Sequence, residues 1–128
     1  MSAVMTRALP SGMVWWQMDN RYWLPTLEDF QQLLVWDPTE HWEYLVDRFD
    51  CESFAFQLQA NFVARLGLNC VGVVLDKSST NTLGQPNPHA YNMIVLADGS
   101  FRFLEPQEDR YVDIGTGLYR FEAGVILL

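Results

Sequence analysis

Hydrophobic and polar positions alternate along the chain in stretches of different period. Residues 1–25 place Trp15, Trp16, Tyr22 and Trp23 among small and polar residues with neither a helical nor a strand period. They read as an aromatic segment that wraps the domain and covers its core. Thr26 is a good helix cap, Asp29 imitates a capping box, and Leu27, Phe30, Leu33 and Leu34 share one helical face, so a short helix ends near Trp36. Asp37-Pro38-Thr39 restarts the chain, and Trp42, Leu45, Val46 and Phe49 suggest a second short helix. From Cys51 to Leu66 the residues Phe54, Ala55, Leu58, Phe62 and Leu66 recur at intervals of three and four, with Gly67 where a helix needs a left-handed residue.

The second half changes period. Cys70 to Asp76 is a short β-branched run that predicts a buried strand, and Lys77 to Pro88 is loop-forming throughout. His89 to Leu96 and Ser100 to Glu105 predict two strands around Ala97-Asp98-Gly99, a hairpin signal, and Tyr111 to Ile114 and Leu118 to Leu128 predict further strands. Helices first and strands after imply an α+β domain with a mostly antiparallel sheet. The 128 residues suit a single domain: an aromatic segment over 1–25, helices over 26–67 and strands over 70–128.

Composition narrows the classes. Hydrophobic residues make up 49% of the chain and charged residues only 19%, which excludes the signature of disorder. Sixteen acidic residues against eight basic ones give a net charge of −8, which disfavours a nucleic-acid partner. No apolar window approaches the ~18 residues of a membrane span, and the first ten residues lack the apolar core of a secretory signal, so the expected location is cytoplasmic. Cys51 and Cys70 are too few for a disulfide scaffold and lack zinc spacing.

Chemistry gathers around one of these thiols. Asp50-Cys51-Glu52-Ser53 puts Cys51 in the first turn of the main helix, where unpaired amides and the macrodipole favour a thiolate and Asp50 is available as the cap. Taken alone, Cys51 reads better as a core cysteine, His89 as a polar residue opening a strand, and Glu105 as a strand-end carboxylate. Hairpin register decides whether the last two meet. A two-residue Asp98-Gly99 turn sends Glu105 to the face away from His89. A type I turn with Gly99 as a left-handed bulge pairs Leu96 with Ser100 and sets Glu105 opposite Tyr91 and Gln107 opposite His89. The bulged register is expected.

The ordered set of Cys51 in D-C-E-S-F-A, His89 in H-A-Y-N and Glu105 in L-E-P-Q resembles the papain-like and transglutaminase-like cysteine protease superfamily. Over residues 48–107 it is similar to the C-terminal protease domain of a mushroom agglutinin, a chimeric lectin with a Cys, His and Glu triad. The resemblance implies a minimal core of that fold, with the nucleophile helix packed on the sheet. It implies a Cys51 nucleophile, a His89 general base, an orienting Glu105 and an acyl-thioester intermediate. It also brings in calcium as a candidate cofactor without ligands to assign, Asp50 and Glu52 reading better as cap and solvated carboxylate. One departure stands out: Leu45 occupies the place of the superfamily's oxyanion glutamine, which leaves Gln107 or the Trp42 indole as candidate donors.

The resulting expectation is a small cysteine hydrolase or acyltransferase, a peptidase or amidase, acting on a peptide, protein or other amide. The alternative is a catalytically inactive module of the same fold that serves binding or assembly. The short chain leaves little room for the second wall of a substrate cleft, which a homodimer or a partner would complete.

Overall fold

The computed structural model describes residues 9–46 and 49–128. Thr26 opens helix α1 (Leu27–Trp36) by accepting the Asp29 amide on its side-chain oxygen at 3.1 Å. The apolar stripe then buries Phe30 and Leu34. After a 3-10 turn at Thr39–His41 the chain does not form the second expected helix. Leu45 and Phe49 instead bridge as an antiparallel pair, each amide donating to the other's carbonyl at 2.7 Å, and residues 47–48 lie outside the described residues. The aromatic spacing serves contacts between side chains: Trp42 stacks on Phe49, and Phe49 meets Phe54 edge-on.

Helix α2 (Cys51–Leu66) buries Phe54, Ala55, Leu58 and Phe62 and ends at Gly67, whose φ of 65° is the left-handed closure that the spacing predicted. Asp50 occupies the N-cap position, but its carboxylate accepts from the Ser53 hydroxyl rather than from a backbone amide. The strands are β1 (Gly12–Trp16), β2 (Val71–Asp76), β3 (His89–Val95), β4 (Phe101–Glu105), β5 (Arg110–Val112) and β6 (Ala123–Leu127). They form one sheet in the order β1-β6-β2-β3-β4-β5.

The central strands are apolar on both faces because both are covered. Ile94 and the adjoining Leu96 pack with Phe30, Leu34, Leu58 and Phe62 from the two helices. Tyr91, Met93 and Val95 point the other way, against Met13, Val74, Phe121 and Ile126, with Trp15, Tyr22 and Leu24 of the N-terminal segment alongside. That segment is therefore partly strand. Trp16 and Trp23 remain exposed, and Trp15 takes the packing role expected of all three.

The sheet is mixed, with one parallel pair among antiparallel ones, which corrects the papain-like or transglutaminase-like core with its mostly antiparallel sheet. β1 runs parallel to β6, so the first and last strands of the described chain close one edge together. Nothing local in the sequence signals a parallel pair between partners this far apart, and Trp15, Trp16 and their neighbours lack strand alternation. Among the described residues no helix is long and apolar enough to cross a membrane.

Candidate functional site

Three local structures bring the site together. Helix α2 packs across β2 and β3, with Cys51 in its first turn against Ala55, Val73 and Ala90. His89 opens β3, opposite Asp76 of β2. Glu105 ends β4, and its position follows from the turn before it. The Leu96 amide donates to the Ser100 carbonyl, and Gly99 sits at φ 83° with its amide donating to the Leu96 carbonyl. This is the bulged register, with Val95 opposite Phe101 and Asn92 opposite Leu104.

The register carries Glu105 to the imidazole. His89 Nε2 donates to Glu105 Oε1 at 2.7 Å, and both side chains are nearly buried. That bond leaves Nδ1 for the Cys51 thiol. Burial pulls the imidazole toward its neutral form, but hydrogen bonds with Cys51 and Glu105, and the carboxylate's charge, outweigh it and push His89 up to about 9. At neutral pH the ring is a held cation. The Tyr119 hydroxyl donates to the same Oε1 at 2.9 Å, and the Gln107 amide donates to Oε2 at 3.3 Å. The other cysteine, Cys70, is buried, and desolvation pushes its thiol up to about 12.

Cys51 and His89 face a cavity of about 310 Å³, bounded by Phe56, Leu75, Pro88 and Ala90, with Glu52 and Lys77 at its edge. The Cys51 thiol also donates to Glu52 at 3.4 Å. A charged imidazole beside the thiol can donate a hydrogen bond to the sulfur, and a ligand entering the cavity meets a thiol, a cation and an apolar wall together. The two candidate oxyanion donors are placed otherwise. Trp42 is half exposed and stacks on Phe49, and the Gln107 bond to the site runs from its backbone.

A second cluster escaped the sequence reading. Asp37, Glu40 and Asp109 bring one ligand oxygen each within 4.8 Å of one another. Asp37 is held by the Thr39 amide and the Asn61 side chain, at 2.9 and 2.8 Å. Glu40 Oε2 and Asp109 Oδ1 are buried without a hydrogen-bond donor, so two acceptors face one another. Burial, then the nearby Glu40 and Asp37, push Asp109 up to about 8. Such a pair needs a shared proton or a cation, and an all-oxygen set fits a hard divalent ion. Asp109 is distant in sequence from the other two, so no spacing could have announced the group.

The family described as the ricin-type β-trefoil lectin C-terminal domain matches residues 3–128. No curated protein matches the chain. Among solved structures, one titled as the PSL1a-E64 complex is 19% identical with a TM-score of 0.71, covering 99% of this chain and 48% of its own. Another, Polyporus squamosus lectin bound to the human-type influenza-binding epitope Neu5Aca2-6Galb1-4GlcNAc, is 18% identical with a TM-score of 0.70, covering 98% and 48%. The chain thus spans about half the length of the chains in these two structures.

These findings correct the papain-like or transglutaminase-like resemblance, the cysteine hydrolase or acyltransferase drawn from it, and its peptide or amide partner. The family is one of lectin domains, and the partner named for the second structure is a glycan. The resemblance rested on three short motifs whose order and side-chain geometry can recur without the chemistry. The match extends over almost the whole chain, and the chain belongs to the family of ricin-type β-trefoil lectin C-terminal domains.

Proposed function

We propose that this chain is a non-catalytic, ligand-binding module of a lectin, and that Cys51, His89 and Glu105 form its ligand site. The observation that carries the proposal is the convergence of a thiol and a charged, carboxylate-backed imidazole on one open cavity. The family supports a binding role, and both similar structures have titles that name a bound molecule. Glycan recognition is proposed for the whole lectin, with this cavity as a second, separate site. The two unpaired thiols suit a reducing compartment, which supports a cytoplasmic location. The three core clusters share one continuous sheet, which supports a single domain.

Binding isotherms test this reading. With E64 as the probe, the chain is expected to bind at one site, and Cys51→Ser is expected to weaken binding roughly tenfold or more. The trisaccharide Neu5Aca2-6Galb1-4GlcNAc should be indifferent to that substitution. Equal E64 affinity in both proteins would move the ligand site elsewhere. Turnover of a peptide or thioester that disappears in Cys51→Ser would overturn the non-catalytic reading.

Calcium is proposed as the cofactor, held by Asp37, Glu40 and Asp109. The ion would supply the positive charge that the two facing acceptors lack. It would also tie the turn after α1 to the turn that follows Glu105. Calcium should raise the unfolding temperature of the native chain and leave that of Asp109→Asn unchanged; an equal rise in both would remove this assignment.

A further inference from the structure

We propose that Tyr119 is a positioning residue that aims the Glu105 carboxylate at His89, an inference that rests on the site assigned above. Glu105 has two oxygens and three donors. Oε1 accepts from both His89 Nε2 and the Tyr119 hydroxyl, while Oε2 has only the longer bond from the Gln107 amide. A carboxylate at a strand end can rotate about its last torsion. Two donors converging on one oxygen fix that rotation, and they come from opposite sides of Glu105 along the chain.

The phenol is itself built into place. Tyr119 ends the 3-10 turn Gly117–Tyr119, which is anchored from the loop after β2: the Ser79 hydroxyl donates to the Leu118 carbonyl at 2.6 Å and the Thr80 amide to the Gly117 carbonyl at 2.9 Å. Its ring meets His89 edge-on at 5.6 Å and Tyr91 at 5.1 Å. Arg110 Nη2 of β5 donates to the hydroxyl oxygen at 3.4 Å, which leaves the phenolic hydrogen for Glu105. Burial, then the charge of Glu105, raise this phenol and keep it a donor across the physiological range. Arg110, Tyr119, Glu105 and His89 thus form one chain of bonds that leads from the surface to the thiol.

The test is the titration of the His89 imidazole followed by NMR in the full chain. The other groups that bear on this ring are Cys51 and Glu52 from α2, Asp76 from β2, Lys77 from the loop after it, Tyr91 on its own strand, and Glu105. Tyr119→Phe leaves all of them in place. The midpoint is expected to fall from about 9 toward the ordinary value of 6.5 by roughly half a unit or more, because a freed carboxylate faces the ring for less of the time. In a Glu105→Gln background the same substitution should add little further shift, since its effect runs through the carboxylate. A rise in midpoint would show that the phenol only competes with the imidazole for the oxygen. An unmoved midpoint, or an equal shift in both backgrounds, would likewise overturn the proposal. The readout needs no ligand, so loss of E64 binding and loss of this coupling are separable results.

Discussion

Glu105 Oε1 is where the site's charges are balanced. It accepts two hydrogen bonds, and the charge behind it keeps the neighbouring imidazole protonated despite burial. Glu105→Gln keeps the shape and removes the charge, so the His89 midpoint should fall well below about 9, as NMR titration would read. A midpoint that stayed near 9 would assign the shift to Cys51 alone. At this scale the sequence was informative where chemistry is local. Cys51 at a helix start, His89 at a strand start and Glu105 at a strand end were legible because each follows from capping, burial pattern or turn type. Tyr119 was not, because a tyrosine in a stretch expected to be strand carries no mark of the hydroxyl's partner. Asp37, Glu40 and Asp109 were missed for the same reason.

Elements were legible in proportion to their periodicity. The stripe of Phe54, Leu58 and Phe62 predicts α2, and the structure places it over β2 and β3 with Leu58 fully buried. Leu58→Ala should cost about 2–5 kcal/mol in a denaturant melt, since the rigid sheet below cannot collapse into the cavity. Thr26→Ala should cost only about 0.5–2 kcal/mol, the loss of one cap on α1. If the two costs were reversed, α1 rather than α2 would be the principal cover of this face. Trp42, Leu45, Val46 and Phe49 show where periodicity does not decide the conformation. Their helical spacing is real, but the stacking of Trp42 on Phe49, the edge-on contact of Phe49 with Phe54 and the Leu45–Phe49 bridge use it in another conformation. The parallel β1–β6 pair lies beyond any local signal, because Val14 and Val125 meet only through the fold.

Three groups set the pH response of the whole molecule, two of them above pH 5. His89 rises from 6.5 to about 9 on folding, so its stabilising contribution is full below pH 6.5 and is lost as pH climbs through about 9. Asp109 rises from 3.8 to about 8, so its contribution is full below 3.8 and is lost across the interval to about 8. Asp76, held low by Ser78 and Tyr91 despite burial, works in the opposite direction: its contribution is present above 3.8 and is lost only as the pH falls below that. The unfolding temperature should therefore decline between pH 5 and pH 9 in the absence of divalent ions. Asp109→Asn should flatten the lower part of that decline and His89→Gln the upper part. A flat profile for the native chain would show that neither group differs between the folded and unfolded states.

In the proposed site, ligand and imidazole meet over Cys51. The most direct measurement is the His89 side-chain NMR signal during titration with E64, in the native chain and in Cys51→Ser. The signal is expected to move in proportion to occupancy in the native chain and to need roughly tenfold or more E64 for the same movement in Cys51→Ser. E64 binding that left the His89 signal in place, or moved it equally in both proteins at the same E64 concentration, would contradict a ligand site over Cys51.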